Sequence, residues 1–356
     1  MTDPPPGYLG AGARIRRGPA PELVEAGYEL ELADAPLLER GFGLADLAHV
    51  LELGPIPADD RRALLGALLE LLAQPPPIDA RYGDLANVRE RVLEQRIGTA
   101  AGWLYAGRSR REAGRIAFRI ALRARLLDLA GALARFADAL VAVAARERDT
   151  LMPDYTYLQV ARPTTAGHWL LSFAYPALRD LDRARADFAW VNRSPAGVDG
   201  ARFAANRDRL SALLGFAEPI AHTRDAMWQT DGLADLTSHA AIAASGGSRF
   251  AEDLELYGSD EFGLLRIGDE LCRASALMPQ KRNPYALVVL RGGAGTLIGR
   301  ATGVLATQRT PSGRTDNLLY AYGEVAGAVE LAARLMRLAA AVTESLTFDR
   351  ERAARA

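Results

Sequence analysis

Arg273-Ala274-Ser275-Ala276-Leu277-Met278-Pro279-Gln280-Lys281-Arg282-Asn283-Pro284 sets a lysine between two prolines, and it is the only lysine among the 43 basic residues of the chain. The other 42 are arginine. Arginine is a planar fork and lysine a compact ammonium on a flexible stem, so a lysine kept against such a bias is a candidate point charge in a tight space. Proline fixes φ and lacks an N–H, so the residues between the two prolines are predicted as loop. Asn283 is a good helix N-cap and Pro284 suits the first helical position, so a helix is predicted to start there. Its unpaired N–H groups, an ammonium, an amide and the Ser275 hydroxyl would converge and make an anion site. The same residues also fit an ordinary capped helix start with a solvated lysine.

Outward from this loop, apolar residues repeat with helical period over 284–308, and again over 112–147, 164–192, 232–256 and 317–345. Each run is two to three times the usual helix of about 11–12 residues. The run after the loop holds Gly292, Gly293, Gly295, Gly299 and Gly303, each costing about 1 kcal/mol relative to alanine inside a helix. Close approach by other helices would account for them. Strand alternation is scarce, so the predicted class is all-α, a bundle of long helices whose apolar surface is shared between subunits. Residues 1–20, with three consecutive prolines, are predicted as a flexible arm, and 21–104 as an N-terminal helical domain. In it Pro55 and Pro57 mark a break, and Leu64, Leu65, Leu68, Leu69, Leu71 and Leu72 form one apolar face ended by Pro75, Pro76 and Pro77. The central long-helix bundle is assigned to 105–346.

A formal net charge of −1 leaves no global positive field to hold nucleic acid or an anionic membrane surface. Any anion binding must be local. The most apolar run, Ala286 to Ala306, is broken by Arg291 and Arg300, short of the roughly 18 residues of a membrane span. One cysteine, Cys272, excludes an internal disulfide, and the absence of a charged region followed by an apolar one at the start predicts a cytoplasmic protein. Histidine, cysteine and carboxylates nowhere take metal-ligand spacing, so no metal or organic cofactor is expected.

The stretch ASALMPQKRNP, Ala274 to Pro284, resembles the loop motif Gly-Ser-Ser-x-Met-Pro-x-Lys-x-Asn-Pro of the argininosuccinate lyase/fumarase superfamily, where it lies on a mobile loop closing over the substrate. Five further stretches are similar to the argininosuccinate lyase subgroup in order and spacing: YAGRSRREAG from Tyr105, YTYLQVARPTTAGHWLL from Tyr155, WVNRSPAG from Trp190, LLGFAEPI from Leu213 and RFAEDLELYGSDEFG from Arg249. The resemblance runs from about Gly18 to Ala356. It implies the fumarase/aspartase type of helical bundle, a homotetramer whose sites are shared between subunits, and a small dicarboxylate substrate. It also implies that 347–356 is only the start of the family's small closing helical domain, the rest of which is missing from this sequence.

Carried over residue by residue, the resemblance makes Ser275 the general base and puts Lys281 and Asn283 on the carboxylate-binding lysine and asparagine. Ala274 and Ala276 replace the family's glycine and second serine. In the second segment the family's Thr-His-Leu-Gln reads Thr156, Tyr157, Leu158, Gln159, so a tyrosine stands where the catalytic histidine belongs, between the substrate-binding Thr156 and Gln159. A second family histidine aligns with Ala86, while His168 reads as structural. In the first segment Ser-Arg-Asn-Asp-Gln reads Ser109, Arg110, Arg111, Glu112, Ala113. Arg111 could grip a carboxylate bidentately in place of the asparagine. Equally, Ser109 and Glu112 form a capping box with both arginines merely solvated. The family's Tyr-Asn-Lys-Asp-Leu-Gln, which grips the amino-acid part of argininosuccinate, reads Arg314 to Leu319, so argininosuccinate itself is not the expected substrate.

The chemistry implied is β-elimination. A proton leaves the carbon next to one carboxylate, and the aci-carboxylate then expels a nitrogen or oxygen group to leave fumarate or a close analogue. Lys281 and helix N–H groups would stabilise the Ser275 alkoxide, and Tyr157 would protonate the leaving group. A phenol titrates near about 10, so a leaving group less basic than guanidine is expected. Two other readings remain open at this point: a catalytically silent structural or ligand-binding homologue, and a cycloisomerase or other specialised reaction on the same fold.

Overall fold

The computed structural model describes residues 18–198, 203, 205–311 and 318–356. Helical turns from Pro21 to Leu32 lead into α1 (Ala35–Glu52), α2 (Ala58–Ala73) and α3 (Leu85–Ile97). Five long helices follow: α4 (Arg110–Arg146), α5 (Ala166–Val191), α6 (Asp231–Tyr257), α7 (Tyr285–Thr307) and α8 (Leu319–Glu344). Their ends lie within two residues of the bounds read from apolar periodicity. The predicted arm lies, as far as Arg17, outside the described residues.

The sparse strand content forms two-stranded pairs. β1 (Leu151–Thr156) and β2 (Gln159–Thr165) make an antiparallel hairpin, and β3 (Arg193–Ser194) pairs in parallel with β4 (Glu218–Pro219). β5 (Leu265–Arg266) pairs with β8 (Thr347–Phe348), and β6 (Arg273–Ala274) with β7 (Arg282–Asn283). β2 is exposed along most of its length, so it buries no face and carries no alternation to read.

The chain forms two compact units interleaved along the sequence. One takes residues up to Ala124 with 189–230 and 310–323; the other takes 125–188, 231–309 and 324–356. In the first, Val50, Leu53, Leu64, Leu68, Leu71 and Leu93 close a core between α1, α2 and α3. Leu69, predicted on the same face, is exposed, because the buried stripe of α2 is narrower than its run of leucines. Arg61 donates to the carbonyls of Val50 and Leu53, satisfying the end of α1. Beneath lies a buried ionic cluster in which the Asp46 carboxylate accepts from both Arg89 and Arg108.

Gly41 marks where α1 meets α4. A Cβ there would lie 2.4 Å from the Cα of Ala117 and 2.8 Å from its carbonyl oxygen, backbone that cannot step aside. Gly41→Ala is therefore expected to destabilise the protein by about 2–3 kcal/mol, measured by urea unfolding. An unchanged midpoint would mean that the two helices are not so close.

In the second unit α6 packs along α7, and Phe250, fully buried, meets Phe136 and Phe173 at ring separations of 5.6 and 5.1 Å. Of the glycines on α7, Gly293 touches the Leu335 side chain. A Cβ at Gly292, Gly295, Gly299 or Gly303 would meet nothing within 4 Å. Close approach within this chain therefore explains only Gly293 among these five.

Candidate functional site

The loop that carries Ser275 and Lys281 forms the tip of the β6–β7 hairpin in the second unit. Asn283 sits in β7, opposite Arg273, and its Nδ2 donates to the Arg273 carbonyl at 3.0 Å. It is not the helix N-cap. That place is taken by Pro284, with no side-chain hydrogen bond, and the helix begins at Tyr285. The amide closing the hairpin competes with the cap and wins, because a strand residue cannot also turn its side chain onto the next helix. Ser275, half-buried, accepts the Met278 N–H at 3.1 Å, and the Lys281 N–H donates to the Met278 carbonyl at 2.9 Å, so the tip is a tight double turn. The Lys281 side chain is exposed and makes no hydrogen bond or ion pair among the described residues.

Thr156, Tyr157, Leu158 and Gln159 lie at the tip of the β1–β2 hairpin, also in the second unit and all exposed. Tyr157 and Leu158 both have positive φ, 54° and 58°, the geometry of a two-residue turn that normally takes Asn-Gly. Left-handed backbone costs about 1–2 kcal/mol at each such side chain. No burial in this chain offsets it, since Tyr157 is 99% exposed. Strain held without local compensation points to a functional position. Among the described residues no hydrogen bond or ion pair joins this hairpin to the one carrying Ser275.

The Ser109–Arg111 segment lies in the first unit. Ser109 caps α4 by accepting the Glu112 N–H at 3.3 Å, as expected of a capping box. The Glu112 carboxylate is committed elsewhere, accepting the Gly197 and Val198 N–H groups at 2.8 and 3.0 Å. The two arginines are not merely solvated. Arg110 lies 3.4 Å from Asp84 and donates to Asn87 Oδ1 at 2.8 Å, while Arg111 lies 3.4 Å from Glu31 and 3.9 Å from Asp84. Local spacing could not reveal this, because Glu31 is 80 residues away in sequence.

These charges rim a cavity of about 30 Å³ whose wall includes Leu38, Phe42, Ala86 and Tyr322. Ala86, which the resemblance aligns with a family histidine, lines the cavity. Tyr322 is fixed there, accepting from Arg115 and stacked on Phe118 at 4.0 Å. Burial, then the charge of Asp84, pushes the Glu31 carboxyl up to about 7, against the pull of Arg111 and Arg110. A carboxyl raised in the folded state binds protons that the unfolded chain has lost, so its contribution to stability falls as pH rises from about 4.5 to about 7. Glu31→Gln is expected to gain stability relative to the parent across that window and to track it below; parallel unfolding curves at pH 5 and pH 8 would contradict this.

The histidines have structural settings. His168 sits in the first turn of α5, its N–H donating to Thr165 Oγ1 and its ring 3.2 Å from Thr164 Oγ1. His222 accepts the Asp225 N–H, His239 lies 2.9 Å from Asp187, and His49 is buried, its proton affinity pushed down to about 3 by burial and Arg108. Arg314 lies outside the described residues. Among the described residues no group of three or more histidine, cysteine or carboxylate side chains could hold a metal, and no helix is long and apolar enough to cross a membrane.

Long helices joined by exposed hairpins, with the Ser-to-Asn loop on one of them, define a class, and comparison with known proteins gives the same class. The sequence model of the family described as Lyase matches residues 70–299. The chain belongs to this lyase family, within the fumarase/aspartase superfamily. Argininosuccinate lyases of Methanothrix thermoacetophila and Methanoculleus marisnigri are each 34% identical over 87% of the chain. The chain spans 65% of the length of these curated relatives. Among solved structures, an EDDS lyase variant with bound fumarate is 26% identical, with a TM-score of 0.79 over 95% of this chain and 69% of that one. A 3-carboxy-cis,cis-muconate lactonizing enzyme from Pseudomonas putida, 21% identical with a TM-score of 0.74 over 94% of this chain and 77% of that one, shares the fold.

Proposed function

We propose that this protein is a carbon–nitrogen lyase that eliminates an amine from an N-substituted, succinyl-type substrate to give fumarate or a close analogue. The observation that carries the reading is the β6–β7 hairpin, which holds Ser275, Lys281 and Asn283 on one tight tip with the Lys281 ammonium uncommitted among the described residues. Ser275 takes the proton from the carbon next to a carboxylate; the electron pair passes through the aci-carboxylate into the new double bond, and the nitrogen leaves with its bonding pair. Lys281 and Asn283 hold the carboxylate, with Thr156, Gln159, Ser109, Arg110, Arg111 and Arg314 as further substrate contacts. Tyr157 supplies the proton to the departing nitrogen. The fumarate bound to the related EDDS lyase variant supports this product, and the replacement of the Tyr-Asn-Lys-Asp-Leu-Gln stretch argues against argininosuccinate as substrate.

Tyr157 and Lys281 are exposed in one chain, so the working site is completed by other copies in a homotetramer. The open glycine face of α7, flanked by exposed Val288, Ile298 and Leu305, supports subunits meeting along that helix. Gly299→Leu is expected to split the tetramer and abolish turnover while far-ultraviolet dichroism stays helical, read by sedimentation velocity. A variant that stays assembled would exclude α7 from the interface.

The test of the activity runs it backwards: the protein is mixed with fumarate and a panel of amines, hydroxylamine and hydrazine, and loss of fumarate absorbance is followed. Consumption with one nucleophile identifies the leaving group. An assembled protein that consumes fumarate with none of them would overturn the fumarate-forming reading and favour instead a silent binder, the reading that Ala86 and Tyr157 at the two histidine positions support, or a cycloisomerase on the same fold.

A further inference from the structure

We propose that Tyr155 is a positioning residue: its ring holds the strained Tyr157–Leu158 turn against the body of the second unit and so aims the Tyr157 hydroxyl at the departing nitrogen. The proposal rests on the reading above that Tyr157 supplies that proton, and it adds what keeps the donor in place.

A two-residue turn with left-handed backbone at both a tyrosine and a leucine does not keep its shape unaided, because neither residue has the freedom of glycine there. Nothing at the tip restrains it, since every residue from Thr156 to Pro163 is exposed. The restraint has to enter from the strands below. Tyr155 is the last half-buried residue of β1 before the exposed stretch, and its ring meets Phe262 edge-on at 5.3 Å and Tyr257 at 5.7 Å. Its neighbours offer less. Val160, opposite it on β2, is exposed, and the next pair, Asp154 with Arg162, makes a solvent-facing contact at 3.5 Å of the kind that contributes little.

The platform under Tyr155 is firm. Tyr257, buried at the end of α6, meets the Trp169 ring at 5.4 Å, and Trp169 donates through Nε1 to Asp253 at 3.2 Å. Trp169 also stands 6.3 Å from the fully buried Phe250. Phe262 is fixed through its N–H, which donates to Ser259 Oγ at 3.3 Å. Ring contacts of this kind are directional, so they set an orientation that aliphatic packing would leave loose. The strand register puts the bend at the same level: Asp154 faces Arg162 but Tyr155 faces Val160, so Ala161 is an extra residue on β2. Such a bulge bends its strand and increases the local twist, so the direction of the tip is set beside Tyr155. Bend and clamp therefore coincide, two residues from Tyr157. The Tyr155 hydroxyl makes no hydrogen bond among the described residues, so the ring is the part that acts and Tyr155→Phe is the conservative variant.

The experiment follows hydrogen exchange and turnover in Tyr155→Leu, Tyr155→Phe, Tyr157→Phe and the double variant Tyr155→Leu/Tyr157→Phe. Turnover is read with fumarate and whichever nucleophile of the panel above is consumed fastest. In Tyr155→Leu the peptide 151–165 is expected to exchange about 10-fold faster, with the rest of the chain unchanged. Its kcat should fall about 10- to 100-fold at an unaltered KM for fumarate, the usual result of misplacing a reacting group. Tyr155→Phe should restore both. In the Tyr157→Phe background the leucine should cost under about twofold more, because aiming an absent hydroxyl has no value. Should Tyr155→Leu fail to fold, Phe262→Leu removes the same edge contact from the other side and carries the same expectations.

Unchanged exchange in Tyr155→Leu, a loss shared by Tyr155→Phe, or losses that multiply in the double variant would each overturn the proposal. A Tyr157→Phe as fast as the parent removes the donor and the aiming with it, and leaves Ser275 and the rest of the lyase reading in place. If the parent consumes no fumarate, the lyase reading falls and the exchange alone decides whether Tyr155 holds the turn. If the parent is active and Tyr155→Leu matches it in rate and exchange, the lyase reading stands and the positioning role falls.

Discussion

Ser275→Ala is expected to lower fumarate consumption by about 100- to 10,000-fold, the range contributed by a positioned general base. The substitution is clean. Ser275 Oγ accepts only the Met278 N–H among the described residues, and the turn keeps its backbone bond from Lys281 to Met278. Loss of rate with an unchanged unfolding curve would assign the proton transfer to this hydroxyl, whereas a variant as fast as the parent would remove Ser275 from the mechanism. Lys281→Arg is the sharper companion. The chain uses arginine at every other basic position, so if any site tolerated the swap this bias would have made it. A loss of about 100- to 1,000-fold is expected, because a planar fork cannot take the place of a compact ammonium donor to a developing oxyanion.

Asp46→Ala is expected to cost about 3–5 kcal/mol of unfolding free energy, the usual result of stripping one partner from a buried ion pair. Asp46 accepts Arg89 Nη2 at 2.9 Å and Nε at 3.2 Å, together with Arg108, and both arginine side chains are 3% exposed. Glu39 still pairs with Arg89 in the variant, but Arg108, with Nε and Nη1 already unpartnered, would lose its contact with the Asp46 carboxylate. Burial alone would raise the Asp46 carboxyl, but the charges of Arg108 and Arg89 outweigh it and hold the group below its ordinary value. Its stabilisation is therefore present above about pH 4 and lost as pH falls through the lower, folded value. The gap between variant and parent in urea unfolding should be full at pH 7 and narrow towards pH 3. A gap of under about 1 kcal/mol at pH 7 would show that Asp46 is dispensable to the cluster.

Much of the architecture was legible in residue order. The ends of α4 to α8 follow from apolar period alone, because a helix tens of residues long repeats its buried stripe often enough to be read without its partners. The Ser109 cap was legible for a related reason: a cap bond spans three residues and needs nothing distant. Asn283 misled at the same range. It is an equally good cap by type, but its amide closes the hairpin onto Arg273, ten residues back, and pairing across a hairpin is invisible to cap statistics.

The ring of charge around Arg110 and Arg111 was illegible for a stronger reason. Glu31 and Asp84 come from different elements of the first unit, and the cavity they rim exists only once those elements pack. Residue order was enough for the long helices, the loop bearing Ser275 and Lys281, and the lyase family, because each is written in short-range pattern. Tertiary structure alone decided that the Arg110–Arg111 pair is held by carboxylates, that Tyr157 stands in a strained, exposed turn, and that four glycines of α7 face open space, because these depend on which distant atoms come within a few ångströms.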